Sequence, residues 1–98
     1  MDVEFSDTDL EKLETDEGFN GGHARPIVRA YRKVLRFIRA ARDERDFRQM
    51  RSLNFEKLKG DRSHQYSLRL NQQWRLIVEI RDGESGNVIF VVGIEDYH

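Results

Sequence analysis

The sequence predicts an α+β fold, in which an N-terminal strand and two or three helices pack on a twisted, mainly antiparallel sheet. Two observations support this prediction. Apolar residues recur at helical spacing in the first half of the chain, and they alternate with polar residues at strand spacing in the second half. Because the chain has only 98 residues, we expect one domain, spanning residues 1–98, with a modest core.

The first elements of the chain are predicted to be a strand, a short helix and a glycine-rich connector. Asp2–Phe5 alternates acidic and apolar residues, which favours a strand. Either Ser6 or Asp7 can cap the helix that follows, and this helix is expected to end near Gly18. Gly18–Gly22 is interpreted as a flexible connection, because no Lys-Ser or Lys-Thr pair follows it as in a phosphate-binding loop.

A second, amphipathic helix is predicted to start near Pro26, which suits a first helical turn. One of its faces is apolar and the opposite face carries arginines. The apolar residues are Ile27, Tyr31, Val34, Leu35, Ile38 and Ala41, and the arginines are Arg25, Arg29, Arg32, Arg36 and Arg39. Such a basic face is solvated, meets an acidic partner, or lies on nucleic acid or membrane. Asp43–Met50 predicts either a continuation of this helix or a separate short one.

The second half of the chain predicts four strands. They are Leu53–Lys57, Gln65–Leu70, Trp74–Ile80 and Asn87–Ile94. The last of them is nearly all apolar, which favours a central strand covered on both faces. Alternation in the two middle strands puts Arg69 and Arg75 on the sheet face turned away from the core. Charges on a rigid sheet are preorganised, so this face is a candidate anion site.

Charge is unevenly distributed along the chain, although the formal net charge is only −1. Residues 1–24 hold eight acids and one lysine, a net of −7. Residues 25–81 hold sixteen basic and six acidic residues, a net of +10, and residues 82–98 hold four acids, a net of −4. A basic middle suits a polyanion such as RNA. Alternatively, the acidic N-terminus folds over the basic helix and neutralises it.

Composition excludes several classes of protein and site. The chain has no cysteine, which removes disulfides, thiolate metal sites and cysteine nucleophiles. No apolar stretch approaches the length of a membrane span, and the acidic N-terminus does not resemble a signal peptide. The three histidines are not spaced as metal ligands, so neither a metal site nor a cofactor is expected.

Four motifs stand out in the C-terminal half: LKGDR at 58–62, YSLRLN at 66–71, WRL at 74–76 and the closing EDYH at 95–98. Together they resemble the HigB branch of the RelE/ParE superfamily of toxins, which are the toxin halves of type II toxin–antitoxin pairs. The resemblance covers residues 53–98 and extends more weakly into the two helices before them.

This resemblance implies a RelE-like fold and a small cytoplasmic ribonuclease that cleaves messenger RNA on the ribosome, in the aminoacyl site, without a metal. It also implies a HigA-like helix-turn-helix antitoxin, which silences the toxin and through which the pair binds its operator DNA. No membrane partner is implied. Two alternatives remain open: a ParE-like toxin that acts on DNA gyrase without nuclease activity, and a non-catalytic domain that only binds nucleic acid or the antitoxin.

Metal-free RNA cleavage needs a base for the 2′-hydroxyl, an acid for the leaving 5′ oxygen, and cations for the charge on phosphorus. The positions that match the family motif are Lys59, Arg75, Asp96, Tyr97 and His98. Arg75 is expected to clamp the phosphate, with Lys59 as a second positive charge. His98 suits acid or base duty, and Asp96 orients it or serves as the base. Tyr97 donates a hydrogen bond or stacks on a base.

Glu56 stands where some members of the family carry a histidine, three residues before the motif lysine. A carboxylate is a general base if its pKa is tuned, so Glu56 joins the candidate catalytic residues. RNA contacts are assigned to Arg62, Arg69, Arg36 and Arg39. A structural alternative also holds for the central arginine, because Arg75 can form an ion pair with Glu79 or Glu56.

Overall fold

Three α-helices and a five-stranded sheet make up the fold in the computed structural model of the protein, which describes residues 1–97. The helices are α1 (Thr8–Thr15), α2 (Arg25–Ala40) and α3 (Glu44–Gln49). The strands are β1 (Asp2–Phe5), β2 (Glu56–Lys57), β3 (Tyr66–Arg69), β4 (Trp74–Gly83) and β5 (Gly86–Asp96), and short 3₁₀ turns cover Arg51–Leu53 and Gly60–Arg62. None of the helices in this range is long and apolar enough to cross a membrane. The predicted α+β class is confirmed.

The strands lie in the order β1-β5-β4-β3-β2, and every neighbouring pair is antiparallel except β1 with β5. The ladder between β4 and β5 is the longest, and it runs from Trp74, opposite Asp96, to Gly83, opposite Gly86. The sheet is therefore mainly antiparallel, as predicted. Its register decides which side chains share a face.

Two aspartates fix where α1 and α3 begin. The Asp7 carboxylate accepts a hydrogen bond from Leu10 N at 2.9 Å, and the Asp43 carboxylate accepts one from Arg45 N at 2.9 Å. Of the two caps predicted for the first helix, Asp7 is the one used. Because Asp43 caps α3, that helix is separate from α2 and is not its continuation.

The core lies between the helices and one face of the sheet. Tyr31, Leu35 and Ile38 of α2 are fully buried there. The Tyr31 hydroxyl donates to the Leu10 carbonyl at 2.8 Å, so this polar group is satisfied inside the core. Its burial is the main reason that the pKa of Tyr31 lies above its ordinary value. All three helices contribute to this one cluster, and we call the opposite sheet face the open face.

Two predicted features of the strands are wrong. Leu53–Lys57 is not a continuous strand, because Asn54 takes a left-handed backbone conformation (φ 45°) that interrupts the extended run, and only Glu56–Lys57 pairs with β3. β5 is not covered on both faces, because Ile89 and Val91 are fully buried while the residues between and around them are half-buried. One sheet face is thus left available for function.

The last strand is longer than predicted. β5 extends to Asp96, two residues past the predicted end at Ile94, and Glu95 lies directly opposite Arg75. The Tyr97 amide then donates a hydrogen bond at 2.6 Å to a carbonyl in the loop between β3 and β4. These polar residues therefore belong to the sheet, where backbone pairing holds them, and do not form a tail beyond it.

Candidate anion-binding site on the open sheet face

Arg69, Arg75 and Glu95 form one row across three strands of the open face. Arg69 of β3 lies directly opposite Arg75 of β4, and Glu95 of β5 lies on the other side of Arg75. Paired residues project from the same face of a sheet, which confirms that the two arginines share the face turned away from the core. The next row contains Glu56 and Ser67, which are also paired.

Arg75 is half-buried, and within residues 1–97 its guanidinium has a hydrogen bond to Asn54 and an aromatic neighbour in Tyr97. With the Asn54 amide in the orientation that satisfies both neighbours, its oxygen accepts from Arg75 Nη1 at 3.2 Å and its nitrogen donates to Glu56 Oε1 at 3.1 Å. The Arg75 guanidinium carbon lies 5.4 Å from the centre of the Tyr97 ring, a cation–π distance. Arg75 Nε is buried and has no hydrogen-bond partner in residues 1–97. No ion pair to Glu56 or Glu79 forms within that range, so the structural alternative for Arg75 is not supported.

Asn54 links Arg75 to Glu56 and was not predicted as a site residue. Its backbone lies in the left-handed region (φ 45°, ψ 55°), and among the described residues it is the one non-glycine residue with positive φ. Asparagine tolerates this conformation better than most residues because its short side chain can bond locally. A residue in a sparsely populated conformation that also contacts two candidate catalytic side chains is typical of a functional site.

Ser67 adds a second unpartnered polar group to the same face. Its side chain is only 1% exposed, and its Oγ makes no hydrogen bond. In the described part of the chain, Ser67 Oγ and Arg75 Nε are the two buried side-chain polar atoms without a partner. They lie on adjacent strands, one row apart. Leaving a buried polar group unsatisfied costs roughly 1–3 kcal/mol, so two such groups side by side indicate a site that a ligand completes.

Arg81 provides a reference for a satisfied arginine on the open face. It lies near the far end of β4, and its Nε and Nη2 donate to Glu79 Oε1 at 3.1 and 2.9 Å. Its guanidinium carbon lies 3.6 Å from the centre of the Phe90 ring. Arg75 therefore differs from Arg81 in its partners and not in its residue type, its strand or its face.

Arg62 reaches the open face from the turn before β3, but its charge is already paired. Nη1 and Nη2 donate to the two carboxylate oxygens of Glu95 at 3.1 and 2.6 Å, and Nε donates to Gln65 at 2.9 Å. The hydrogen bond to Glu95 raises the pKa of Arg62. Both side chains are partly exposed, so the pair orients Glu95 more than it stabilises the fold. An RNA contact by Arg62 stays a prediction.

Tyr97 lies at the site, and Lys59 lies in the segment between β2 and β3. The Tyr97 side chain is 38% exposed and packs against the Arg75 guanidinium. Lys59 is exposed just before the turn Gly60–Arg62, and within residues 1–97 it forms no ion pair. His98 lies outside the described residues, and its predicted role stays a prediction.

Asp96 is not brought together with Arg75. It follows Glu95 along β5, and successive side chains of a strand project from opposite faces. Its carboxylate accepts a hydrogen bond from Gln73 Nε2 at 3.0 Å, near the end of the β3–β4 loop. The predicted roles of Asp96, as a base or in orienting a neighbour, stay predictions.

The arginines of α2 lie on the helix side of the sheet, away from Arg75. Arg39 donates to both carboxylate oxygens of Glu14 at 2.7 Å, and these hydrogen bonds raise the pKa of Arg39. Arg32 donates to backbone carbonyls of α1 and of its C-terminal cap at 2.9 Å. The acidic N-terminal region thus neutralises part of the basic face, as one of the two interpretations predicted. Arg36 is exposed and has no ion pair in residues 1–97.

The site as built can bind a phosphate and hold a carboxylate beside it. An arginine with an unused N–H edge makes two parallel hydrogen bonds to a phosphate. The Asn54 amide bonds both the carboxylate of Glu56 and that arginine. A phosphodiester on Arg75 would therefore lie next to a group that can accept a proton.

Solved structures of toxins share this fold. The chain is similar over 100% of its length to the YoeB/ParE toxin from Agrobacterium tumefaciens, with 14% identity, a TM-score of 0.59 and 100% of that chain covered. It is similar to the YoeB–YefM complex from Staphylococcus aureus (22% identity, TM-score 0.62) and to the YoeB dimer from the same organism (21%, 0.53), each over 100% of this chain and 97% of that one. The fold is therefore that of RelE/YoeB-type toxins.

The sequence defines the family more narrowly. Residues 3–98 match the family described as RelE-like toxin of type II toxin-antitoxin system HigB, and the chain belongs to this HigB-like toxin family. No curated protein sequence is significantly similar to it. The resemblance read from the four C-terminal motifs is confirmed.

Proposed function

We propose that this toxin is a ribosome-dependent, metal-independent endoribonuclease that cleaves messenger RNA and so inhibits translation in the cytoplasm. The observation that carries the proposal is the buried, unpartnered Nε of Arg75 beside the buried, unpartnered hydroxyl of Ser67 on the open face. Such a pair suits a phosphodiester, whose oxygens accept hydrogen bonds and whose charge an arginine neutralises.

In the proposed reaction, the 2′-hydroxyl oxygen attacks the adjacent phosphorus and the bond from phosphorus to the 5′ oxygen breaks. The products are a 2′,3′-cyclic phosphate and a free 5′-hydroxyl. A base removes the 2′ proton, an acid gives a proton to the 5′ oxygen, and no other co-reactant is needed. The negative charge that develops on the phosphorus oxygens is the main feature that the protein must stabilise.

Each step has a candidate side chain. Arg75 stabilises the charge on phosphorus, and Glu56, held towards it by the Asn54 amide, serves as the base. The Tyr97 ring, which lies against the Arg75 guanidinium, limits where that guanidinium can move. The sequence motif supplies the remaining roles of second cation, orienting carboxylate and acid, which we assign to Lys59, Asp96 and His98.

The proposed partners are the ribosome, with the messenger RNA in its aminoacyl site, and an antitoxin. Membership of a toxin–antitoxin family supports the antitoxin, and the Staphylococcus aureus neighbour was solved as a YoeB–YefM complex. We expect a HigA-like helix-turn-helix protein, which silences the toxin and through which the pair binds operator DNA.

The test compares Arg75→Ala with Arg81→Ala, since both residues lie on β4 and on the open face. We expect Arg75→Ala to lower the rate of cleavage of ribosome-bound message by about 100- to 1,000-fold, which corresponds to about 2.7–4 kcal/mol of transition-state stabilisation. Arg81→Ala should cleave like the wild type. Circular dichroism checks that both variants fold.

Other outcomes would favour a different function. Equal cleavage by both variants would remove Arg75 from the mechanism. Growth arrest with intact message and gyrase-dependent DNA breaks would support a ParE-like toxin. Binding to RNA without cleavage, by the wild type as well as by the variants, would support a non-catalytic domain.

A further inference from the structure

The ion pair between Arg62 and Glu95 crosses the open face beside Arg75. Arg62 belongs to the turn before β3 and Glu95 belongs to β5, and β4 lies between these two strands. Both carboxylate oxygens of Glu95 accept from the Arg62 guanidinium, at 3.1 and 2.6 Å. Because Arg62 Nε donates to Gln65 at 2.9 Å, the guanidinium is fixed in this two-bond geometry.

The fold gains little stability from this pair. The side chains of Arg62 and Glu95 are 42% and 38% exposed, and ion pairs that solvent reaches contribute little to the free energy of unfolding. The two residues are also 33 positions apart in sequence, so the pair orders a turn against a distant strand, at a cost in conformational entropy. Stability alone therefore does not account for the pair.

Glu95 lies where an unoccupied carboxylate would neutralise Arg75. The two residues are directly opposite each other on neighbouring strands. Side chains paired in this way share a face, with Cβ atoms roughly 4.5–5.5 Å apart. Arg69, on the other side of Arg75, adds a second positive charge to the same row. By comparison, Glu79 lies four residues along β4, or about 13 Å from Arg75.

In the observed structure the neighbouring acids bond other groups. Arg62 bonds both oxygens of Glu95, and the Asn54 amide donates to the carboxylate of Glu56. Within residues 1–97 no carboxylate pairs with Arg75, and Arg75 Nε has no partner. The charge and the N–H edge of Arg75 thus stay available to an incoming anion.

We infer that Arg62 is a positioning residue, which occupies the Glu95 carboxylate and so keeps Arg75 free to bind a phosphate. A phosphodiester and a carboxylate both accept two parallel hydrogen bonds from a guanidinium, so they compete for Arg75. If Glu95 left only a tenth of the Arg75 side chains unpaired, the apparent affinity for phosphate would fall about 10-fold. This inference rests on the proposed function for the identity of the anion, but not on cleavage.

Rescue by a second substitution tests this role. Arg62→Ala releases Glu95 and should lower kcat/KM for ribosome-bound message by about 10-fold. Adding Glu95→Gln removes the competing charge, so the double variant should recover at least about 5-fold of that loss. Arg62→Lys keeps a cation near Glu95 and should lose less than Arg62→Ala. Arg81→Ala is the matched control, because it breaks another arginine–glutamate pair on the open face but releases Glu79, far from Arg75.

A second readout does not depend on cleavage. Inorganic phosphate is added to the free toxin while the Nε–H resonance of Arg75 is followed by NMR, and the resonance is assigned by its absence in Arg75→Lys. We expect the dissociation constant for phosphate to rise by about 10-fold in Arg62→Ala and to return towards the wild-type value in the double variant. Glu95→Gln alone should bind phosphate at least as tightly as the wild type. Urea unfolding checks that every variant folds.

Wild-type cleavage and phosphate binding by Arg62→Ala would overturn the inference. So would a loss that Glu95→Gln does not repair, because Arg62 would then contact RNA directly or only anchor the turn that follows Lys59. If Arg62→Ala fails to fold, weaker phosphate binding by Glu95→Gln alone would overturn it. If phosphate binding follows the expected order but the wild type cleaves no message, the role of Arg62 stands and the proposed nuclease fails.

Discussion

The two ends of the open sheet face carry the same residue in different surroundings. At one end, Arg81 bonds Glu79 through two N–H groups and packs on the Phe90 ring at 3.6 Å. At the other end, Arg75 has one hydrogen bond to an uncharged amide at 3.2 Å and a ring at 5.4 Å, and its Nε bonds nothing in the described part of the chain. Glu79, the carboxylate on the same strand, pairs with Arg81, and within residues 1–97 no carboxylate pairs with Arg75.

The difference shows that the residues around Arg75 are not arranged to maximise the stability of the fold. Each buried unsatisfied group costs roughly 1–3 kcal/mol, while a whole domain is stable by only about 5–15 kcal/mol. Around Arg75 the chain keeps two such groups and also holds Asn54 in a left-handed conformation. Strain and unmet hydrogen bonding concentrated in one place are typical of a site adapted to a ligand.

The first test of this comparison keeps the positive charge at position 75 and removes the guanidinium group. We expect Arg75→Lys to lower cleavage of ribosome-bound message by about 10- to 100-fold, because lysine carries the charge but cannot make the two parallel hydrogen bonds of a guanidinium. Arg81→Lys, the matched change at the satisfied end, should stay within about 3-fold of the wild type. Full activity of Arg75→Lys in single-turnover cleavage would mean that charge alone matters at this position.

A smaller effect is expected when the link between Arg75 and Glu56 is removed. Asn54→Gly keeps the left-handed backbone and deletes the amide, so we expect cleavage to fall by about 10-fold with little change in stability. Asn54→Ala deletes the amide and strains the backbone, so it should lose the same activity and destabilise the fold by about 1–2 kcal/mol. Urea unfolding and cleavage rates are measured on both variants. Wild-type cleavage by Asn54→Gly would show that the amide link is not used.

Ser67 gives a test in which stability and activity should move in opposite directions. Ser67→Ala removes a buried hydroxyl that has no partner, so we expect the free energy of unfolding to rise by about 1 kcal/mol. Cleavage should fall, since the hydroxyl is proposed to contact the phosphate. Ser85→Ala, in the exposed turn between β4 and β5, is the control and should change neither quantity. A loss of stability on Ser67→Ala would mean that the hydroxyl is satisfied in solution.

Much of this arrangement could be predicted from the sequence, because alternation and capping are local signals. Arg69 and Arg75 were assigned to one face from period-two alternation, and the register confirms it. The contribution of Asn54 could not be predicted in this way, since it depends on contacts between segments far apart in the chain. The predicted end of the last strand at Ile94 was wrong for a similar reason: Glu95 and Asp96 are polar, but their pairing with β4 continues the strand through them.

The smallest expected effect lies at a satisfied charge away from the open face, at the cap of α3. Asp43 accepts hydrogen bonds from the Arg45 side chain at 2.8 and 3.1 Å and from Arg45 N at 2.9 Å. The side-chain bonds first, and then the backbone bond, lower the pKa of Asp43 from 3.8 to about 2. Because the folded-state pKa is the lower one, the charge of Asp43 stabilises the fold fully above about pH 4, and this contribution is lost as the pH falls towards 2.

Asp43→Asn isolates that charge, because asparagine is also a good N-cap. We expect the wild type to unfold at a slightly higher urea concentration than Asp43→Asn at pH 5 to 7, and the difference to shrink steadily between pH 4 and pH 2.5. Cleavage at neutral pH should be the same for both proteins, since α3 lies on the helix side of the sheet, away from Arg75. A difference in unfolding midpoint that stays constant across this pH range would show that Arg45 does not stabilise the charge of the carboxylate. Asp43 would then act only as the N-cap of α3.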